Sequence, residues 1–251
     1  MRVLQSVPPR VLRMSAAWAL ALTLVGFVFQ VSDFAYRRLP APRPLEELSY
    51  YPSGMLLRPA TLGHGETAAD LAWLRAVQYY GEHRSSDMRF TRMYHVFDVL
   101  TTLAPGFIPA YVFGAFALAQ EGSDFARAEA LMEKGLGVNP TSGRLAFELG
   151  FLHYVRPGGR DLRRAAQYFE QAARQPDGPP ESRRFAAFAR QHSGDLGVAY
   201  LLWAEVAAGS ENPYLRKMAG REMRKIREAV ETGRAELAVK RLTTPIVRRS
   251  R

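Results

Sequence analysis

Apolar positions follow two patterns along this chain. In residues 15–31, SAAWALALTLVGFVFQV, only Ser15, Thr23 and Gln30 are polar, and a run of this kind is just long enough to cross a bilayer, which takes about 17 to 25 residues. Trp18 near one end and Phe34 and Tyr36 near the other stand where interfacial anchors are expected. Further on, apolar residues recur at spacings of three and four, the mark of helices that bury one face. The first such helix is expected to open at Thr67 as its cap, with Asp70 in its first turn and an apolar face built from Leu71, Leu74 and Val77 together with Trp73 and Tyr80. Between the two patterns, LPAPRP at residues 39–44 reads as a stiff, extended linker, because proline fixes φ. A turn at Pro52 to Gly54 then precedes a short apolar piece.

The helical pattern repeats. Phe97, Asp98, Leu100 and Pro105 return 35 positions later as Met132, Glu133, Gly135 and Pro140. The trio Ala128, Met132, Gly135 returns as Ala165, Phe169, Ala172 and again as Ala199, Trp203, Val206, at intervals of 37 and 34. Each such stretch follows another helical one, which predicts the pairs 109–121 with 124–136, 142–154 with 161–174, and 180–193 with 196–208. The turns EGSD, RPGGRD and HSGD separate the members of a pair, and prolines separate the pairs.

A period of 34 to 37 residues made of two helices resembles the tetratricopeptide repeat. Gly114 and Gly150 stand midway along the first helix, where that family places a small residue to admit the second. The small-large-small trios fit the second helix, and Pro140, with Pro176 and Pro213 slightly shifted, fits the closing proline. Trp73 and Tyr80 match the large pair seven apart in a first helix. The turns RPGG and GEHRSSD are longer than the pattern, and the fourth unit lacks the glycine. The similarity covers residues 67–213. PSGMLLRPATLGHGETAADLAWLRAVQYYG also resembles the lead-in of membrane-anchored bacterial repeat proteins.

The resemblance implies an all-α fold, a solenoid of about four helical hairpins, since one hairpin cannot bury both of its faces. The expected organisation is a basic flank at 1–14, a transmembrane signal anchor at 15–32, a proline-rich linker and lead-in at 33–66, repeats at 67–211, a basic amphipathic capping helix at 212–242 and a basic tail at 243–251. The resemblance further implies that the first helix of each repeat lines a concave groove. Carried over, the lining is Tyr111, Ala115 and Leu118 in the second repeat, Arg144, Phe147, Phe151 and Tyr154 in the third, and Arg184, Phe188 and Gln191 in the fourth. Aromatic anchors flanked by arginines suit an extended peptide with apolar side chains and an acidic group. The same aromatic spacing also fits a buried core, and the residues leave both uses open.

Charge sharpens the picture of the two ends. The 251 residues carry a net charge of +10, but residues 216–251 hold twelve Lys/Arg against four Glu, a net +8, and residues 1–38 hold five Arg against Asp33, a net +4. The intervening body, with seventeen basic and nineteen acidic residues, is at −2. The last helix opens at Asn212 as cap with Pro213 in its first turn and runs Leu215, Met218, Met223, Ile226, Val230 and Leu237 along one side. Arg216, Lys217, Arg221, Arg224, Lys225 and Arg227 occupy the rest. That surface suits either a solvated cap or contact with anionic lipid. Nucleic acid is disfavoured for an exported domain.

Orientation rests on arrangement, since Arg2, Arg10 and Arg13 before the apolar run balance Arg37, Arg38 and Arg43 after it. FQVSDFAY, following the run, has no small-x-small cleavage site, which favours an uncleaved anchor over a cleaved signal peptide; a span preceded by only fourteen residues is the signal-anchor arrangement, with the larger part outside the cytoplasm, and the resemblance implies a bacterial inner membrane and the periplasm.

Chemistry is sparse. The absence of cysteine removes disulfides, thiolate metal sites, cysteine nucleophiles and lipidated cysteine. The histidines at 64, 83, 95, 153 and 192 form no HExxH pair, and no phosphate-binding glycine loop or nucleophile elbow is present. No catalytic residue, cofactor or metal is therefore expected. His64, Glu66 and Asp70 are the nearest thing to a polar cluster and would matter to an enzyme if they faced a pocket. The function this predicts is a membrane-tethered scaffold holding a protein or peptide partner in an envelope complex. The alternatives are a membrane-surface structural protein or a non-catalytic subunit of an envelope enzyme.

Overall fold

The computed structural model describes residues 9–38, 52–156 and 158–233, which contain eleven helices and no strand. The chain divides into two compact units, Met1–Glu47 and Leu48–Arg251.

The first unit holds α1, Pro9–Arg38. Within it Met14–Phe34 has a mean hydropathy of 1.8 and no part of that window is covered by protein. At 1.5 Å per residue its 21 residues extend over about 31 Å, close to the thickness of a hydrocarbon core of about 30 Å. This helix is long and apolar enough to cross a membrane. It also extends into the first residues expected to belong to the linker; the prolines of that linker lie outside the described residues.

The second unit runs α2 Gly54–Ala60, α3 Gly65–Ser85, α4 Met93–Leu103, α5 Ile108–Gln120, α6 Phe125–Val138, α7 Gly143–Tyr154, α8 Leu162–Ala173, α9 Ser182–His192, α10 Leu196–Gly209 and α11 Pro213–Glu231. Each helix from α3 onward packs on the next in the chain, so the core is built from neighbours. Asn212 caps α11 as expected, and three further helices carry side-chain caps. Asp124 accepts from the Arg127 N–H at 3.1 Å, Ser142 from Leu145 at 3.3 Å, Asp161 from Arg164 at 3.1 Å and Asn212 from Tyr214 at 2.9 Å, each satisfying a donor that the first helical turn leaves unpaired.

The repeating trios are the packing positions. All nine residues, Ala128 through Val206, are buried. The glycines opposite them set how closely the helices approach. A Cβ on Gly150 of α7 would stand 2.9 Å from the Phe169 ring of α8, and one on Gly135 of α6 would stand 2.7 Å from the Tyr111 ring of α5. Ring and backbone therefore touch directly, and a side chain there would force the pair apart.

Three expectations are corrected. α3 starts at Gly65 with His64 at its cap position, two residues before Thr67. Its buried face is Ala69, Ala72, Ala76, Tyr79 and His83, while Leu71, Leu74 and Val77 are 61%, 57% and 41% exposed. The alanine stripe wins because α4 already supplies the bulk, through Met93, Val96, Phe97 and Leu100, all fully buried, and a small face lets α3 lie close against it. Third, the short apolar piece after Pro52 is a helix, α2, with Pro59 inside it. The capping helix is described as far as Glu231 and its turn; residues 234–251, with Leu237 and the basic tail, lie outside the described residues.

Replacing Gly150 with valine is expected to lower the unfolding free energy of the full chain by about 1–3 kcal/mol, the usual cost of overpacking. Gly81→Ala, mid-helix with nothing within 4 Å of the added Cβ, is expected to raise it by about 0.5–1 kcal/mol. Urea denaturation of both variants beside the wild type checks the pair; equal effects would contradict the close approach at Gly150.

Candidate interaction groove

Four depressions in the second unit adjoin one another. The largest, about 640 Å³, is lined by Tyr80 of α3, by Ile108, Val112, Phe113 and Phe116 of α5, and by Ser142, Arg144 and Asp177. A second of about 580 Å³ shares Arg144 and Asp177 with it and continues along Phe147, Glu148 and the loop 176–181. A third shares Pro180 and Glu181 with the second and ends at Leu215 on α11. The fourth shares Ile108, Ser142 and Asp177 with the first. Together they form a furrow across α5, α7 and α9.

Tyr80, Phe113, Phe116 and Phe147 line it, and these rings touch others outside the lining. The Phe113 ring meets Tyr80 at 5.2 Å and Trp73 at 5.6 Å, both edge to face. Phe116 then meets Phe151 at 6.0 Å, Phe151 meets Phe185 at 6.2 Å and Tyr154 meets Phe188 at 6.2 Å. All are half-buried, held at one edge by the core and open at the other.

The structure moves part of the expected lining. Tyr111, Ala115 and Leu118 are buried in the core and offer nothing to a partner. The Tyr111 hydroxyl donates towards the Thr101 and Pro105 carbonyl oxygens at 3.3 and 3.2 Å, and burial pushes its pKa up to about 12. One residue's rotation of α5 replaces them with Val112, Phe113 and Phe116. Arg144 and Phe147 line the furrow as expected, and Arg184 lines its far end, with its guanidinium 5.2 Å over the Phe185 ring. Phe151, Tyr154 and Phe188 are half-buried and line none of the four depressions.

Gln191 is committed elsewhere. Its oxygen accepts from the Trp203 indole N–H at 2.7 Å and its amide donates to Glu222 at 3.0 Å, which ties α9 to α10 and α11. Burial raises the pKa of Glu222, but hydrogen bonds from Lys225 and Gln191 outweigh it and hold the carboxyl below its ordinary value.

The rim carries both signs. Arg144 pairs with Glu148 at 2.8 Å, and Arg84 pairs with Glu121. Asp177 accepts from the Gly143 N–H at 2.7 Å, and this bond holds its carboxyl below the ordinary carboxylate range. A carboxylate thus already occupies the N-terminus of α7, which weakens the expected place for a partner's acidic group. The six basic residues Arg216, Lys217, Arg221, Arg224, Lys225 and Arg227 are all exposed on α11; Lys225 pairs with Glu222 at 2.6 Å and Arg227 donates to the Tyr200 hydroxyl at 3.4 Å.

Among the described residues no group of three or more His, Asp or Glu is arranged to hold a metal. His64, Glu66 and Asp70 are exposed and line none of these depressions. His153 is fully buried on α7, stacked 5.6 Å from Tyr168 and 5.5 Å from Phe125. Burial drives its pKa down, against the raising influence of Glu129. The Glu129 carboxylate lies 3.4 Å from Nε2, and neither ring nitrogen is hydrogen-bonded. Compared with known proteins, the chain matches no family model, no curated protein and no solved structure.

Gln191→Met leaves the buried Trp203 N–H unpaired and is expected to cost about 1–3 kcal/mol in chemical denaturation, whereas loss of a purely groove-facing side chain would leave stability unchanged. Because the folded pKa of His153 lies below its ordinary 6.5, the folded state binds fewer protons than the unfolded one. Stability should therefore be full above pH 6.5 and fall as the pH drops below it. His192 is shifted the same way by burial, so His153→Leu is expected to shrink the decline measured between about pH 7 and 5 without abolishing it.

Proposed function

We propose that the chain is a membrane-tethered interaction scaffold: about four tetratricopeptide-like hairpins, anchored by α1, hold an extended segment of a partner protein along the furrow. The observation that carries this reading is the set of half-buried rings lining the furrow, Tyr80, Phe113, Phe116 and Phe147, on a surface with paired charges at its edges. Rigid aromatic side chains give up little conformational entropy on contact and bury large apolar area, which is why they dominate binding surfaces. The mixed rim favours apolar side chains in the partner over an acidic motif. Membrane tethering is supported by the length and composition of Met14–Phe34, and an envelope setting in a bacterium by the resemblance of the lead-in.

The test uses photocrosslinking residues placed in the full chain at Gln120 and Arg144, beside the rings, and at exposed Val198 on α10. In native membranes one polypeptide should crosslink at Gln120 and Arg144 and not at Val198, and Phe116→Glu should abolish both adducts. Equal adducts at all three positions, or adducts indifferent to Phe116→Glu, would remove the furrow from the function.

A further inference from the structure

The N-terminal edge of the helical unit carries apolar surface that its own packing leaves unused. α2 turns Gly54 and Leu57 inward. A Cβ on Gly54 would stand 2.6 Å from the Thr102 Cβ and 3.0 Å from the Val99 carbonyl oxygen, and Leu57 packs against the main core. With that face committed to α4, Met55 and Leu56 are turned outward, 81% and 70% exposed, and Leu62 in the next turn is 86% exposed. Leu62 also holds a φ of 49°, a left-handed conformation that glycine adopts freely and a leucine does not. A turn that bends against its residue's preference to hold a large apolar side chain in water is not explained by the fold.

The excess is local. Of the twelve large apolar residues exposed among the described residues of this unit, seven lie within residues 55–88, so this surface is concentrated at the end of the unit that follows α1. Within residues 52–64 the sole Asp, Glu, Lys or Arg is Arg58, which is exposed. An apolar stretch with one arginine and no acid before the exposed Glu66 of α3 suits the boundary between acyl chains and anionic headgroups, where apolar side chains insert and a basic head stays at the phosphates.

Chain length supplies the partner. Fifteen residues, 39–53, separate the end of α1 from α2, a length that can reach no further than about 50 Å at full extension. If α1 spans the bilayer, α2 never leaves the neighbourhood of that surface, and docking there is an intramolecular event with a high effective concentration.

We propose that Met55, Leu56 and Leu62 dock into the lipid interface, with Arg58 at the headgroups, and thereby orient the helical unit on the membrane. This rests on the reading of α1 as an anchor.

The chain has no cysteine, so single cysteines report cleanly. Full-length Leu56→Cys, Leu62→Cys, Val25→Cys and Leu201→Cys, each carrying an environment-sensitive fluorophore, would be reconstituted in vesicles of phosphatidylethanolamine with phosphatidylglycerol. Leu201 is exposed on α10 and Val25 lies within the apolar helix. Labels at 56 and 62 should be blue-shifted and quenched by lipid carrying a spin label just below the headgroup, while the label at 201 responds to aqueous iodide alone. Adding Met55→Ser and Leu62→Ser, both surface changes, should return the label at 56 to iodide. Iodide quenching at 56 and 62 equal to that at 201, with the label at 25 still quenched by lipid, would overturn the docking and leave the anchor standing. Labels at 56 and 62 shielded from both quenchers would replace lipid with a second copy of the chain. A label at 25 open to iodide would overturn anchor and docking together.

Discussion

The closeness of neighbouring helices at small residues is the constraint on which the rest of this molecule depends. An aromatic ring of one helix lies directly on the backbone of the next, as Phe169 lies on Gly150 and Tyr111 on Gly135. Such contacts gain dispersion energy at every atom and tolerate no added methyl group. They rotate each helix about its axis until the small residue and the large one face each other, and that rotation decides which side chains remain for solvent. On α5 it sends Tyr111, Ala115 and Leu118 inward and leaves Val112, Phe113 and Phe116 at the surface.

The groove is therefore a by-product of packing as much as a feature with its own sequence signal. Its rings are anchored on the core side by Phe97, Phe169 and Trp73 and open on the other, so their positions are set before any partner arrives. Preorganisation of this kind reduces what a partner must spend in ordering the surface. The rim charges of Arg144 with Glu148 and of Arg84 with Glu121 are paired within the chain, so both signs stand at its edges.

The two ends of the helical unit differ. At α9 to α11 a polar network, Trp203 to Gln191 to Glu222 to Lys225, closes the stack and gives the last helix a wet, basic outer face. At α2 and α3 the stack ends in exposed Met and Leu. Among the described residues the α11 end thus presents a basic, polar face and the α2 end an apolar one.

Sequence alone determined the elements. The helix pairs from α5 to α10 begin and end within two residues of their predicted limits, because Asp124, Ser142 and Asp161 cap the helices they precede and because prolines and glycines break helices whatever surrounds them. It also picked out the trio positions, since burial repeats with the repeat. Tertiary structure decided the faces. On α3 an alanine stripe and a leucine stripe were both available, and on α5 nearly every residue is apolar, so periodicity had no contrast to read. Which stripe turns inward depends on the size of the residues across the interface, and those belong to another helix.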